Sequence, residues 1–200
     1  MENLNNIIAG IDYGSKTAGT TTICVGDDTG SVFSISQSRK GEDADKFLLE
    51  SIIKSGVRFL FIDAPLSLPG VYSKLEGFDD YFYRKCDREI GAMSPMFLGG
   101  LTARAMRFRE DCFNISIPVR EVWPTRIAEI LGIEKDIYKS TVKNIKGCTD
   151  IMLDTIQVEE EYRPVNWHQI DAALAFVSGL RFINGNAISF GDPGEGMIYA

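Results

Sequence analysis

The chain is organised around the stretch Ile7-Ile8-Ala9-Gly10-Ile11-Asp12-Tyr13-Gly14-Ser15-Lys16-Thr17. An apolar run ends there at an acid, which is flanked by glycines and followed by small and hydroxyl-bearing residues. The apolar run is typical of a strand, and glycines with small side chains tolerate a tight turn after it. The stretch therefore predicts a strand that carries the carboxylate of Asp12 to an edge of a sheet.

A second stretch, Phe59-Leu60-Phe61-Ile62-Asp63-Ala64-Pro65, repeats this arrangement. Because proline cannot donate a ladder hydrogen bond, the strand should end near Asp63. Continuous apolar runs suit strands that are covered on both faces, as in a parallel sheet. If the two strands are neighbours, Asp12 and Asp63 meet at the carboxyl end of the sheet, where open α/β sheets bind their ligands. Two carboxylates at that edge indicate a metal site.

The composition favours a single domain of a cytoplasmic protein. The chain has 200 residues, enough to bury a core without disulfide staples. Its four cysteines are scattered without a C-x-x-C spacing and its start is polar, so we expect reduced cysteines and no secretory segment. No apolar run approaches the roughly 18 residues needed to span a bilayer, and we expect no membrane association.

The charge is unevenly distributed along the chain. A net charge of −7 tells against a broad nucleic-acid-binding surface. Residues 84–146, however, carry 12 Lys/Arg against 8 Asp/Glu. We therefore expect any polyanion to meet the middle of the chain.

Local patterns predict the elements that connect the two acid-bearing strands. Residues 7–36 are typical of a three-stranded antiparallel meander, because β-branched runs alternate with a glycine-rich turn. Residues 43–56 predict a helix, with apolar residues at helical spacing, acids in the first turn and a glycine at the end. The long crossover through this helix allows the fourth strand to lie parallel to the first.

The second half of the chain is less regular. We expect a helical insertion at about 67–117, lying over the carboxyl edge of the sheet. No element is predicted for residues 134–161, whose periodicity is weak. The remaining predictions are a helix at 101–113 within the insertion, a fifth strand at 119–124, a short helix at 125–132, and a strand, a turn and a final strand at 187–200.

A late helix brings a third acid toward the sheet. Asn166 and Gln169 resemble a capping box, in which the Asn166 side chain caps the helix and Gln169 reaches back. Asp171 shares a helix face with Leu174, Ala175 and Ser178, which predicts that it points away from bulk water. An unpaired carboxylate there is costly, so we expect a cation nearby.

This order of elements resembles the ribonuclease-H-like fold. More narrowly, five motifs together resemble a family of predicted ribonuclease-H-like nucleases: Gly10-Ile11-Asp12-Tyr13-Gly14, Asp63-Ala64-Pro65-Leu66-Ser67-Leu68-Pro69, Arg84-Lys85-Cys86-Asp87-Arg88-Glu89, Glu121-Val122-Trp123-Pro124 and Asp171-Ala172-Ala173. The closing Gly191-Asp192-Pro193-Gly194-Glu195-Gly196 is similar to that family too. The resemblance spans nearly the whole chain. It implies an α/β fold with a mixed five-stranded sheet (β-β-β-α-β-α-β-α), flanked by helices, in which the first strand lies between the second and the fourth.

The resemblance also implies a metal site. It assigns Mg²⁺ or Mn²⁺ to Asp12, Asp63 and Asp171, with Glu121 as a fourth acid that ligates metal or orients water. Hard oxygen ligands suit both ions, and two metals about 4 Å apart can activate water and stabilise an in-line phosphoryl displacement. A simpler role remains open for each acid: Asp12 as a turn former, Asp63 as a cap, Asp171 as a helix-dipole partner, and Glu121 as an ion-pair partner of Arg120 or Arg126.

Candidate substrate contacts lie in three places. Lys16 and Thr17 follow Asp12 in a loop suited to a phosphate, although this dipeptide is common in proteins. Arg84 and Arg88 are phosphate contacts or a solvated helix face with i,i+3 or i,i+4 ion pairs. His168, the single histidine, tunes the metal or shuttles a proton, unless it is a solvated residue at a helix start.

The leading hypothesis from the sequence is a metal-dependent nuclease. Against it stand the acidic balance and the lack of an aromatic and basic stacking platform, and a fold alone does not fix a function. One alternative is a nucleotide-binding phosphotransferase or ATPase, because Gly10-x-Asp12-x-Gly14 also resembles the first phosphate loop of the actin and sugar-kinase ATPases. Another alternative is a non-catalytic binding or regulatory module.

Overall fold

A computed structural model describes residues 6–31, 33–156 and 163–200 of the chain. Its centre is a seven-stranded sheet with the order β3-β2-β1-β4-β5-β7-β6. The strands are β1 (Ile7–Asp12), β2 (Thr22–Asp27), β3 (Phe33–Gln37), β4 (Phe59–Asp63), β5 (Val119–Val122), β6 (Ser189–Asp192) and β7 (Gly196–Tyr199).

The first strand lies between the second and the fourth, as the sequence predicts. β1 pairs with β2 antiparallel, β2 pairs with β3 antiparallel, and β1 pairs with β4 parallel. In the β1–β4 register Asp12 lies directly opposite Asp63. β5 continues the parallel part of the sheet beside β4. The expected α/β fold with a mixed sheet, in which the first strand lies between the second and the fourth, is therefore confirmed.

Two further strands extend this sheet at its β5 edge. β7 pairs parallel with β5, and β6 pairs antiparallel with β7. These are the two strands expected near the C terminus, so the sheet has seven strands where five were expected. The sequence predicts the two strands from their local pattern, but only the tertiary structure decides that they join the same sheet.

Helices cover both faces of the sheet. They are α1 (Ala44–Ser55), α2 (Lys85–Ile90), α3 (Pro95–Leu98), α4 (Gly100–Asn114), α5 (Pro124–Ile130), α6 (Ile145–Ile156) and α7 (Trp167–Ile183). One core lies between the sheet and α5, α6 and α7 and contains Phe61 and Phe176. The other lies toward α1 and α4 and contains Leu60 and Phe108. Neighbouring residues of β4 thus face opposite cores, which explains its continuous apolar run.

The caps of α1 and α7 show how far local sequence sets a helix. Asp43 caps α1 by accepting from the backbone N–H groups of Asp45 and Lys46, and Gly56 ends it in a left-handed conformation. Asn166 caps α7 by accepting from the N–H of Gln169. The predicted contact from the Gln169 side chain back to the capping residue Asn166 is wrong, because the side-chain oxygen of Gln169 accepts from the N–H of Val165 instead.

A glycine in β1 allows α7 to approach the sheet closely. A Cβ at Gly10 would lie 2.0 Å from the backbone nitrogen of Phe176 and 2.4 Å from the carbonyl oxygen of Ala172. Since neither backbone atom can move without shifting the helix, a side chain at this position is excluded. The close approach brings the first turns of α7, which carry Asp171, next to the end of β1.

The segment without a predicted element contains α6 and a short 3-10 turn at Val142–Asn144; residues 157–162, in the same segment, lie outside the described residues. The expected helix at 101–113 is α4. Cys24, Cys86, Cys112 and Cys148 are all buried and free, as expected. No helix in the described part of the chain combines the length and apolarity that a bilayer crossing needs.

Candidate metal centre

Three carboxylates meet at the carboxyl end of the central strands. Asp12 ends β1, Asp63 ends β4, and Asp171 projects from α7, which packs on β1. One oxygen atom from each of the three lies within 4.8 Å of the other two. The β1–β4 register aligns the first two, and the close approach at Gly10 brings in the third. We call Asp12, Asp63 and Asp171 the acidic triad.

Asp171 is a buried member of the acidic triad, and both of its carboxylate oxygens have partners in the protein. Its side chain is 5% exposed, and one oxygen lies 2.8 Å from Nζ of Lys139. The other accepts a hydrogen bond of 2.5 Å from the hydroxyl of Tyr138. Burial raises the pKa of Asp171 to about 6, although Lys139 opposes this shift. The cation expected near Asp171 is therefore an ammonium group in this structure.

Of the three acids, Asp63 has the surroundings that most disfavour its ionised form. Its burial, followed by the nearby charges of Asp171 and Asp12, raises the pKa of this carboxyl well above its usual range. Among the described residues, no hydrogen bond or ion pair to the Asp63 side chain compensates for these effects. Asp63 is thus a partly buried carboxyl without a protein partner among the described residues, a position that a bound cation would stabilise.

Asp12 is held by the only histidine of the chain. Nδ1 of His168 lies 2.7 Å from an Asp12 carboxylate oxygen. This hydrogen bond, partly opposed by burial, raises the pKa of His168. The imidazole is 44% exposed, so His168 is neither a simple surface residue nor part of the core. It fixes the orientation of Asp12 from the side of α7.

The donor set of the acidic triad fits a divalent cation. Mg²⁺ and Mn²⁺ prefer hard oxygen ligands, which all three side chains supply. Lys139 supplies a single positive charge for three converging carboxylates, and the raised pKa values of Asp63 and Asp171 reflect this shortage. A group of three acids that its own protein neutralises only in part can accept a cation from solution.

Glu121, the expected fourth acid, lies outside the acidic triad. Its carboxylate oxygens accept from Nη1 and Nη2 of Arg84 at 2.7 and 2.6 Å. One of them also accepts from the backbone N–H of Leu66 at 2.9 Å. Burial raises the pKa of Glu121, although Arg84 opposes the shift. The expected ion pair with Arg120 or Arg126 is wrong, because the partner is Arg84.

Arg84 is fully buried and has no donor left for a phosphate. Its guanidinium bonds to Glu121, to both carboxylate oxygens of Asp87 and to the hydroxyl of Ser67. Five N–H groups are all that a guanidinium offers, and five contacts of 3.1 Å or less engage them. The predicted substrate contact at Arg84 would have to replace one of these bonds, and it stays a prediction. We call Arg84, Asp87 and Glu121 the arginine cluster.

The other candidate substrate contacts lie at the surface. Arg88 is 59% exposed, pairs with Asp80 at 2.8 Å and stacks on the ring of Tyr83. Lys16 is 55% exposed and pairs with Asp43 at 3.2 Å. Thr17 is exposed as well. Roles for these residues and for His168 in substrate binding stay predictions.

Two residues at the acidic triad were not identified from the sequence. Tyr138 and Lys139 lie in the segment for which no element is predicted, and Lys139 has a left-handed backbone with φ +58°. No local pattern marks either residue, since they are about thirty positions before their partner Asp171. A left-handed lysine can be found only from the backbone itself.

No family model and no curated protein matches the sequence. Among solved structures, the chain is similar to RuvC of Thermus thermophilus. One of these structures contains a Holliday junction substrate; it is 14% identical, with 90% of this chain and 97% of that chain covered and a TM-score of 0.43. A second RuvC structure gives the same identity and coverage with a TM-score of 0.44.

Proposed function

We propose that this protein is a metal-dependent nuclease, which hydrolyses phosphodiester bonds of nucleic acid with Mg²⁺ or Mn²⁺ held by Asp12, Asp63 and Asp171. The observation that carries this proposal is the convergence of three carboxylates from β1, β4 and α7 within 4.8 Å. Their position at the carboxyl end of the central strands supports it, because ligands of open α/β sheets bind there.

The surrounding residues support the acidic triad in different ways. His168 orients Asp12, and Tyr138 and Lys139 orient Asp171. Glu121 acts through the backbone: it accepts from the N–H of Leu66 and so holds the loop that follows Asp63. When bound, the metal would activate a water molecule and stabilise the charge that develops on the phosphate oxygens.

The phosphotransferase alternative receives less support from the first loop. The N–H of Gly14 bonds to the carbonyl oxygen of Asp12, and the N–H of Ser15 bonds to the hydroxyl of Thr20. Lys16 pairs with Asp43. Backbone N–H groups that already have partners within the loop are not free to cradle a phosphate. The nuclease therefore remains the function that the geometry supports best.

Cleavage of labelled single-stranded, duplex, hybrid and branched nucleic acids tests the proposal. The wild-type protein should cut at least one of them with Mg²⁺ or Mn²⁺ and none with a chelator present. Asp12→Asn should fold and lose this activity. Asp79→Asn is the matched control, because it changes the same functional group at an exposed position outside the acidic triad.

Three other results would contradict the nuclease. Equal cleavage by the wild type and Asp12→Asn would assign the activity to something other than the acidic triad. If metal stabilises the wild type against heat but no nucleic acid is cut, the non-catalytic metal-binding alternative is favoured. Binding of ATP that is lost when the loop residue Lys16 is changed would favour the phosphotransferase.

A further inference from the structure

A cavity of about 230 Å³ opens beside the acidic triad. Asp12 and Asp63 form part of its wall, so the cavity and the candidate metal centre are continuous. Most of the remaining wall is apolar and includes Pro65, Met93, Leu98, Leu101, Val122 and Trp123. Met93 and Leu98 come from the insertion between β4 and β5, which therefore contributes to the wall.

The charges around the cavity exclude an anionic occupant. Among the described residues, no lysine or arginine lines it. Asp87 and Glu121 also reach its wall, but Arg84 already pairs with both. A phosphate placed inside would meet carboxylates and no free cation. The cavity therefore suits a neutral group attached to a phosphate that lies outside, at the acidic triad.

The size and the apolar wall of the cavity suit a single ring system. Pockets for drug-sized ligands measure roughly 300–1,000 Å³, and this cavity is smaller. Met93 is 61% exposed and stands at the opening, where its flexible thioether can adapt to a ring of varying outline. An apolar cavity that includes a flexible side chain such as Met93 is typical of sites that hold a nucleobase by stacking.

Trp123 supplies an aromatic surface that has no ring partner among the described residues. Its ring stacks on no other ring, and its indole N–H has no hydrogen-bond acceptor among the residues that the structure describes. The backbone of Trp123 is fixed, since Trp123 follows β5 directly and precedes Pro124, the first residue of α5. An aromatic ring carried on a fixed backbone can stack on a base at little cost in conformational entropy.

We propose that this cavity receives the base of the nucleotide whose phosphate is bound at the acidic triad, and that Trp123 stacks on it. This inference rests on the proposed nuclease function and specifies its substrate. A base inside a duplex is stacked and paired, so it cannot enter the cavity without leaving the helix. The protein should therefore act on unpaired strands or on nucleotides splayed from a junction or end.

Tryptophan fluorescence can test this proposal directly, because the chain contains only two tryptophans, Trp123 and Trp167. Trp167→Phe leaves Trp123 as the single reporter and keeps an aromatic ring beside Tyr138. The probes are a thymidine trinucleotide and a trimer of the same charge that lacks all three bases, both in a Ca²⁺ buffer, since Ca²⁺ also takes carboxylate oxygens. The trinucleotide should quench Trp123 and bind roughly tenfold more tightly than the base-free trimer.

Variants at the ring provide the second measurement, with a fluorescently labelled trinucleotide followed by anisotropy. Trp123→Ala should bind about tenfold more weakly than wild type, whereas Trp123→Phe, which keeps a stacking face, should stay within about threefold. Phe113→Ala is the matched control, because Phe113 is 72% exposed on α4 and does not line the cavity.

Each result separates the cavity from the metal centre. Equal binding of both trimers, or equal binding by wild type and Trp123→Ala, overturns the base-binding cavity and leaves the nuclease proposal intact if nucleic acid is still cleaved. Failure of both trimers to bind, together with failure of the cleavage panel, overturns both proposals. Preferential binding and cleavage of a fully paired duplex also overturns the cavity.

Discussion

The acidic triad and the arginine cluster are two groups of carboxylates at the same edge of the sheet, and they are neutralised very differently. In the arginine cluster, five N–H groups of Arg84 meet Asp87, Glu121 and Ser67, so every charge has a partner inside the protein. In the acidic triad, three carboxylates share one ammonium group and one imidazole.

This difference separates a structural role from a binding role. Buried charges are tolerated when they are paired and hydrogen-bonded, which describes the arginine cluster. A buried group of like charges without enough counter-charge is costly, and such groups are typical of functional sites. The acidic triad therefore has the shortage of counter-charge that the proposed metal site requires, whereas the arginine cluster holds the insertion and β5 together.

The largest expected effect comes from breaking the arginine cluster. Arg84→Met leaves Asp87 and Glu121 buried without a counter-charge, and we expect the free energy of unfolding to fall by about 3–5 kcal/mol. Chemical denaturation measures this change. Arg88→Met is the matched control, because its ion pair with Asp80 is exposed and should contribute at most about 1 kcal/mol. Equal losses for the two variants would refute the structural role of Arg84.

The acidic triad should make the metal-free protein less stable as the pH rises. The pKa of Asp171 is raised to about 6 in the folded state, against about 3.9 in an unfolded chain. The stability contributed by its protonated form is fully present below about pH 4 and lost as the pH rises through 6. The loss amounts to about 2–3 kcal/mol.

Denaturation of the wild type and Asp171→Asn across pH 4–8, with a chelator present, isolates this contribution. As the pH rises, the unfolding free energy of Asp171→Asn should increase relative to that of the wild type. A difference that stays constant across this range would show that the pKa of Asp171 is not raised.

Removing a charge from the acidic triad should stabilise the metal-free protein. Burial and the charges of Asp171 and Asp12 disfavour the ionised form of Asp63. We therefore expect Asp63→Asn to raise the free energy of unfolding by about 0.5–2 kcal/mol, as is common when a strained functional site is relieved. Added Mg²⁺ should stabilise the wild type and leave the variant unchanged. A destabilised Asp63→Asn would place Asp63 with the arginine cluster, as a structural acid.

The smallest expected effect concerns the ammonium group at the acidic triad. Because Nζ of Lys139 lies 2.8 Å from Asp171, its positive charge competes with a metal ion for this carboxylate. Lys139→Met should therefore bind Mn²⁺ about three- to tenfold more tightly in a calorimetric titration. Lys143→Met removes the same charge from an exposed position nearby and should change the affinity little. Weaker binding by Lys139→Met would mean that the ammonium supports the metal.

The two regions also differ in how far the sequence predicts them. Asp12 and Asp63 each end an apolar run, so their strands follow from local pattern, and their common edge follows once the two strands are parallel neighbours. The position of Asp171 follows from helical periodicity behind a recognisable cap. The arginine cluster was missed because Glu121 lies 37 residues after Arg84, and no local spacing links them.

What the sequence alone determined is the set of elements whose signal lies within a few residues: the acid-ending strands, the capped helices and the three acids of the triad. Only the tertiary structure decided which charges pair, since Arg84, Lys139 and Glu121 find partners across distant parts of the chain. It also decided that β6 and β7 join the central sheet and that Trp123 borders a cavity. Local propensity depends on neighbours along the chain, whereas ion pairing and cavities depend on packing, which no short stretch of sequence contains.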